Sequence, residues 1–227
     1  VFTPIAGTRS KTMSYFFPEG SSQQFSSTFA AAKTITAVTN ANPAVATCTG
    51  HGYVTGDEIL LTSGWEDATD TVWKVEMVDA NSFKILGLDS SNSNFYPSGG
   101  GVGTAQKISG WTSIPQVLTI SASGGDARFT DVSPLAKRNA IRIPTGFNAT
   151  SITLSLAHDA GNANYKTMLG ISRNLSKVAF KQVISGGAVT YGYGYLNVSE
   201  MPQLNNNQVN TVQAAMTVLG RSISYES

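Results

Sequence analysis

In the stretch ATSITLSLAH, Ile152, Leu154 and Leu156 alternate with Ser151, Thr153 and Ser155. That is a period of two, which only an extended strand converts into one apolar and one polar face. One face must meet a core, and the other meets water or a polar partner. Elsewhere the same demand recurs in shorter pieces separated by turns: KTITAVT, PAVATCTG, DEILLTS, TVWKVEMV and SFKILGL between residues 33 and 88. In TVWKVEMV, Trp73, Val75 and Met77 share one face while Lys74 and Glu76 share the other, and the turn DANS at 79–82 makes a hairpin with the next strand.

Composition points the same way. Only 13% of the 227 residues are charged; Gly, Ser, Thr and Asn supply turns, and Val, Ile, Tyr and Phe supply strand-forming apolar residues. The expected fold class is therefore all-β, a sandwich or barrel. One short helix is predicted over NANYKTMLGISRN, 162–174, where Tyr165, Met168, Leu169 and Ser172 fall on one face and Asn162 caps the first turn. It is short and contains Gly170, so it must be held by packing on a sheet. After it come the hairpin strands KVAFKQVI and VTYGYGYLNV, joined by SGGA at 185–188, and then QVNTVQAAMTVL and RSISYE. Residues 1–32 read as an irregular arm broken by Pro4, Gly7, Pro18 and Gly20, yet Phe16, Phe17, Phe25 and Phe29 need burial on this domain or on a neighbour.

A formal net charge of +1 leaves no excess of Lys and Arg for gripping phosphates, which argues against tight non-specific nucleic-acid binding. The single Cys48 cannot form an internal disulfide, in keeping with folding in a reducing cytosol. No apolar run of about eighteen residues occurs, and the first residues lack a signal-peptide layout, so the expectation is a chain that neither enters a membrane nor is exported. Asn148, Asn174 and Asn197 begin N-x-[ST] sequons that, on that expectation, are chance matches.

Candidate chemistry is sparse. Glu66, Asp67 and Asp70 do not have the spacing of a calcium loop. His51, His158 and Asp159 lack a nucleophile elbow to serve, and His158 continues the inward register of Leu154 and Leu156 as a satisfied strand-end residue. Tyr191, Tyr193 and Tyr195 form a ladder on one strand face, read as packing on the helix or on a neighbouring chain in preference to a ligand platform. No catalytic, cofactor-binding or metal-binding residue is expected.

Five pieces in order then carry a resemblance: KISGWTSIPQV, TDVSPLAKRNAIRIPTGFNATSITLSLAHD, GNANYKTMLGIS, the VAFKQVI…GYGYLNVSEM hairpin and NTVQAAMTVLGRSISY. Together they resemble the major tail tube proteins of lambda-like siphophages, although that family often has Pro-Gly where this chain has Pro144, Thr145 and Gly146. A second segment, ITAVTNANPAVATCTGHGYVTGDEILLTSG, resembles a small β-module repeated in phage virion proteins, matching at Asn42, Pro43, His51, Gly52, Gly56 and Asp57.

The resemblance implies a tail-tube β-domain at 1–32 and 107–227, with an inserted small barrel-like module at 33–106. It implies a virion structural protein, not an enzyme, assembled in the host cytoplasm into stacked hexameric rings. One sheet face would line a lumen through which DNA passes without specific binding. Partners would be other copies, the tape measure, the tail terminator and the tail tip, with no membrane and no cofactor. The alternative is a tail-tip or fibre protein binding host-surface carbohydrate. The loop 130–148 is longer than a strand connection requires and holds Lys137, Arg138 and Arg142 against a single acid, Asp131. Those three basic residues are the expected inter-subunit contact.

Overall fold

The computed structural model describes residues 19–136 and 138–226; Phe16, Phe17 and Lys137 lie outside them. Its regular elements are strands, apart from a single helix among the described residues. Strand β1 (Ser22–Ser26) precedes seven short strands: β2 (Lys33–Ile35), β3 (Ala37–Val38), β4 (Ala44–Thr47), β5 (Glu58–Ser63), β6 (Thr71–Asp79), β7 (Ser82–Ile85) and β8 (Gly103–Lys107).

These seven form one sheet, in the order β2-β8-β5-β6-β7-β4-β3. β2 and β3 stand at opposite ends of that order, yet only Thr36 separates them in sequence, and its N–H donates to Thr47 O at 2.9 Å. The sheet therefore rolls up and joins its own edges, leaving none exposed. Its interior is filled by Ile35, Ile59, Leu61, Trp65, Trp73, Val75, Phe83 and Ile85. Trp73 and Val75 point inward as their alternation requires, but Met77 is 47% exposed because β6 runs past the end of the barrel into its hairpin.

The motif residues of this segment are turn builders. His51 accepts from Tyr53 N–H at Nδ1 and donates from Nε2 to Asp79 O, each 2.9 Å. Asp57 accepts from Val54 N–H at 3.0 Å and pairs with Lys107 at 2.7 Å, while Asn42 donates to Asp89 at 3.0 Å.

Beyond β8 come β9 (Thr112–Ser113), β10 (Val117–Ser123), β11 (Ala127–Val132), β12 (Ile141–Phe147), β13 (Ser151–Ala157), α1 (Ala163–Arg173), β14 (Lys177–Val183), β15 (Val189–Val198), β16 (Thr211–Val218) and β17 (Ile223–Tyr225). With β1 they make an eight-stranded sheet of order β10-β13-β16-β15-β14-β1-β9, β17 lying beside β15, and a separate two-stranded sheet of β11 and β12. Ile152, Leu154 and Leu156 of β13 enter one core with Phe25, Val178, Phe180, Leu196, Val212, Ala214 and Met216, as the alternation predicts.

Helix α1 covers that core. Asn162 caps it, accepting from the N–H groups of Asn164 (2.9 Å) and Tyr165 (3.2 Å). Tyr165 and Met168 are buried as expected, joined by Ile171, while Leu169 is half-buried and Ser172 Oγ accepts from Val198 N–H at 3.0 Å. The opposite face of β14 and β15 is covered by the 33–107 barrel: Ala179, Val189, Tyr191 and Tyr193 meet Leu60 and Val72.

Candidate assembly interface

The segment 130–148 is expected to be a loop, and the structure instead makes 127–147 a hairpin. β11 and β12 pair antiparallel, with Thr130 opposite Ile143, Asp131 opposite Arg142 and Val132 opposite Ile141. Apolar residues without an apolar partner sheet give little sequence signal, and Pro144 and Gly146 interrupt the strand pattern.

The hairpin prolongs the β10–β13 ladder. After the Ser123–Ser151 pair, Gly125 N–H donates to Asn148 O (3.1 Å) and Asn148 N–H to Asp126 O (2.9 Å). Gly124 makes this root possible: its φ is +89°, and a Cβ there would lie 2.1 Å from Ala149 O. The ribbon therefore carries on beyond the sheet, its strands alone spanning about 20 Å.

Alternation sorts its faces. Thr130, Val132, Ile141 and Ile143 share one face, on which Val132, Ile141 and Ile143 are 40%, 39% and 45% exposed. Phe147 at its base is 74% exposed, and Leu135 at its tip is fully exposed. An isolated two-stranded hairpin is marginally stable in water, so such an apolar face on a projecting ribbon marks a surface for something else to cover. Of the predicted basic contacts, Arg142 pairs with Asp131 of its own hairpin at 3.3 Å and lies over the Phe129 ring at 5.0 Å, both partners of the ion pair being well exposed. Arg138 is exposed in the connecting loop.

The contact between barrel and larger sheet is of a different kind. Glu58 on β5 accepts from Lys181 Nζ at 2.8 Å and from the Tyr191 hydroxyl and Trp111 indole N–H. Tyr225 donates to Leu86 O at 2.8 Å and accepts from Lys74 N–H at 3.0 Å. Gly220 lets the chain pass close by, since a Cβ there would stand 2.3 Å from Asp70 O. Burial, then the hydrogen bond to Glu58 and its charge, holds the Tyr191 phenol well above its ordinary range; burial pushes Tyr225 up to about 12.

Tyr191 and Tyr193 of the ladder therefore pack on the barrel and not on α1, while Tyr195 is half-buried beneath Lys177. Tyr191 and Tyr193 point away from the helix, and the helix side of β15 presents Gly192, Gly194 and Leu196.

The remaining candidates stay apart. His158 stacks edge-on against Tyr165 at 5.5 Å, and its Nδ1 is buried without a hydrogen-bond partner among the described residues, unlike the satisfied residue expected. Cys48 is buried, which pushes its thiol up. Among the described residues, no group of three or more His, Cys, Asp or Glu could hold a metal ion.

A projecting, partly apolar ribbon on an all-β body with closed or docked sheets is the anatomy of a subunit built to join others. Residues 63–227 match the family described as phage tail tube protein, TTP, and the chain belongs to that family. It is a structural component of a bacteriophage tail tube. No curated protein matches it.

Proposed function

We propose that this chain is the repeating subunit of a lambda-like siphophage tail, assembling into stacked hexameric rings whose lumen conducts DNA during ejection. The observation that carries the reading is the projecting hairpin 127–147, an apolar surface left uncovered in a chain whose family forms tubes. Residues 33–106 act as an inserted module directed outward from the tube, since a domain placed in the lumen would obstruct DNA. The subunit meets the tape measure, terminator and tail-tip proteins at the tube's ends, after assembly in the host cytoplasm.

The part of the sheet face opposite α1 that the barrel leaves open, over β10, β13 and β16, is uncharged. There Thr119, Ser155 and Gln213 form one cross-strand row, Ser121, Thr153 and Ala215 the next, and Ser123, Ser151 and Thr217 a third. Strands β10, β13 and β16 contain no Asp, Glu, Lys or Arg.

Lys137, Arg138 and Arg142 add an electrostatic contact to a neighbouring subunit, one that steers ring closure or stacking and weakens at high salt. Negative-stain microscopy of purified protein tests the assembly: hollow tubes or six-fold rings are expected, and a strictly monomeric species at high concentration would sink the reading. Lys137→Glu with Arg138→Glu should give folded monomers that no longer form tubes. Normal assembly of that double variant at physiological salt would remove the electrostatic contact.

A further inference from the structure

We propose that the apolar face of the hairpin seats in a groove between β1 and β10 of the next copy, and that Thr130 there donates a hydrogen bond to Gln23. The proposal rests on the reading of this chain as a self-assembling tube subunit, and names where its projecting ribbon goes. The groove holds about 890 Å³. It opens because the sheet stops short of closing: its edge strands β10 and β9 follow one another in sequence but do not pair. Ile114, Val117, Ile120 and Ala122 give it an apolar wall. Gln23 lines it too, 5% exposed, with its Oε1 unpartnered among the described residues, next to its cross-strand neighbour Gln182.

A buried acceptor left without a donor is costly. A partner that brings one hydroxyl among apolar side chains would relieve that cost, and the hairpin face has this composition: Val132, Ile141 and Ile143 around Thr130. The occupant is a second copy because the hairpin leaves its own sheet at the Ser123–Ser151 end and runs outward, away from the wall formed by β10. Ribbon and groove are different patches of one surface. Such heterologous contacts propagate into rings or filaments and do not close as a dimer, which is what a tube requires.

Two variants, Ile143→Cys and Ala122→Cys, are mixed, assembled and treated with a short bismaleimide; Cys48 is buried and does not compete. The expected product is a covalent dimer formed from one copy of each variant. Tubes that assemble from the mixture without that dimer overturn the groove assignment while leaving the tube reading intact. Wild-type protein that makes no tubes takes both down.

A double-mutant cycle isolates the polar contact. Thr130→Val and Gln23→Leu should each raise the critical assembly concentration by roughly tenfold, and together by no more than either alone. The Gln23→Leu monomer should melt no lower than wild type. A lower melting temperature with unchanged assembly would reduce Gln23 to a residue of the fold and overturn the hydrogen bond.

Discussion

The two conspicuous apolar surfaces of this molecule meet opposite fates. On β14 and β15, Ala179, Val189, Tyr191 and Tyr193 are buried against Leu60 and Val72 of the 33–107 barrel, and Glu58 ties the seam with three hydrogen bonds. On the hairpin, Val132, Ile141 and Ile143 form a comparable row and remain open. Both are strand faces rich in β-formers, so residue type does not separate them. What separates them is whether another part of the described chain supplies a cover. Surface that the chain covers belongs to its fold, and surface that it leaves open on a projecting ribbon belongs to its assembly.

The largest effect should come from uncovering the first surface. Replacing 33–106 by a short Gly-Ser bridge between Ala32 and Lys107 exposes the tyrosine face of β14 and β15. The expected outcome is insoluble protein, rescued when Val189, Tyr191 and Tyr193 are changed to Thr or Ser. A plain deletion that stays soluble and still assembles would show that the seam contributes little and that the barrel is a passenger.

Next in size is Glu58→Ala. It leaves Lys181 Nζ, the Tyr191 hydroxyl and the Trp111 N–H without their shared acceptor. Lys181 is only 20% exposed, so the cost should be about 3 kcal/mol, the scale of breaking a buried pair from one side. Urea unfolding measures it, and a loss below about 1 kcal/mol would make the seam a hydrophobic contact with incidental polar groups. Tube formation by the folded fraction should persist, in contrast to hairpin variants.

Alkali probes the same seam more gently. Tyr191 and Tyr225 both hold their protons more tightly than a free phenol, chiefly through burial. Raised folded-state values mean that each contribution to stability is complete below about pH 10, the ordinary tyrosine value, and is lost as pH climbs through the folded value, about 12 for Tyr225 and higher still for Tyr191. Tyrosine absorbance and Trp111 fluorescence, followed from pH 9 upward, should change together in that window. Ionisation of every tyrosine at about pH 10 would show an open seam.

How much of this could be read beforehand depends on where each residue's partner lies. Asn162 and the spacing of Tyr165, Met168, Leu169 and Ser172 announce α1 locally, because a cap and a 3.6-residue period are properties of one segment. Ile152, Leu154 and Leu156 announce β13 equally well. The Tyr191–Tyr193 face was legible as a face, but its cover was not: alternation says which side chains point together and nothing about whether a helix, a barrel or a neighbour meets them. Segment 127–147 was hardest, since its apolar residues find no buried partner among the described residues, and a pattern that burial does not enforce looks like loop. Its importance was nonetheless visible in its length and its cluster of Lys137, Arg138 and Arg142.

The smallest effect on the isolated subunit should come from Arg142→Ala, and its smallness is what makes it informative. Arg142 meets Asp131 at 3.3 Å and stacks over Phe129, with the two charged side chains 71% and 65% exposed. At such exposure, water and salt screen the pair, and ordering two long side chains offsets most of the attraction. The melting temperature should therefore stay within about 2 °C of wild type. Assembly is another matter if Arg142 exchanges Asp131 for a carboxylate on a neighbour, because the contact is then desolvated and no longer confined to one chain. The critical assembly concentration, measured by light scattering at low and high salt, should rise in the variant and lose much of its salt dependence. If Arg142→Ala leaves both unchanged, its role ends with the hairpin's own Asp131, and the assembly contact passes to the apolar face alone.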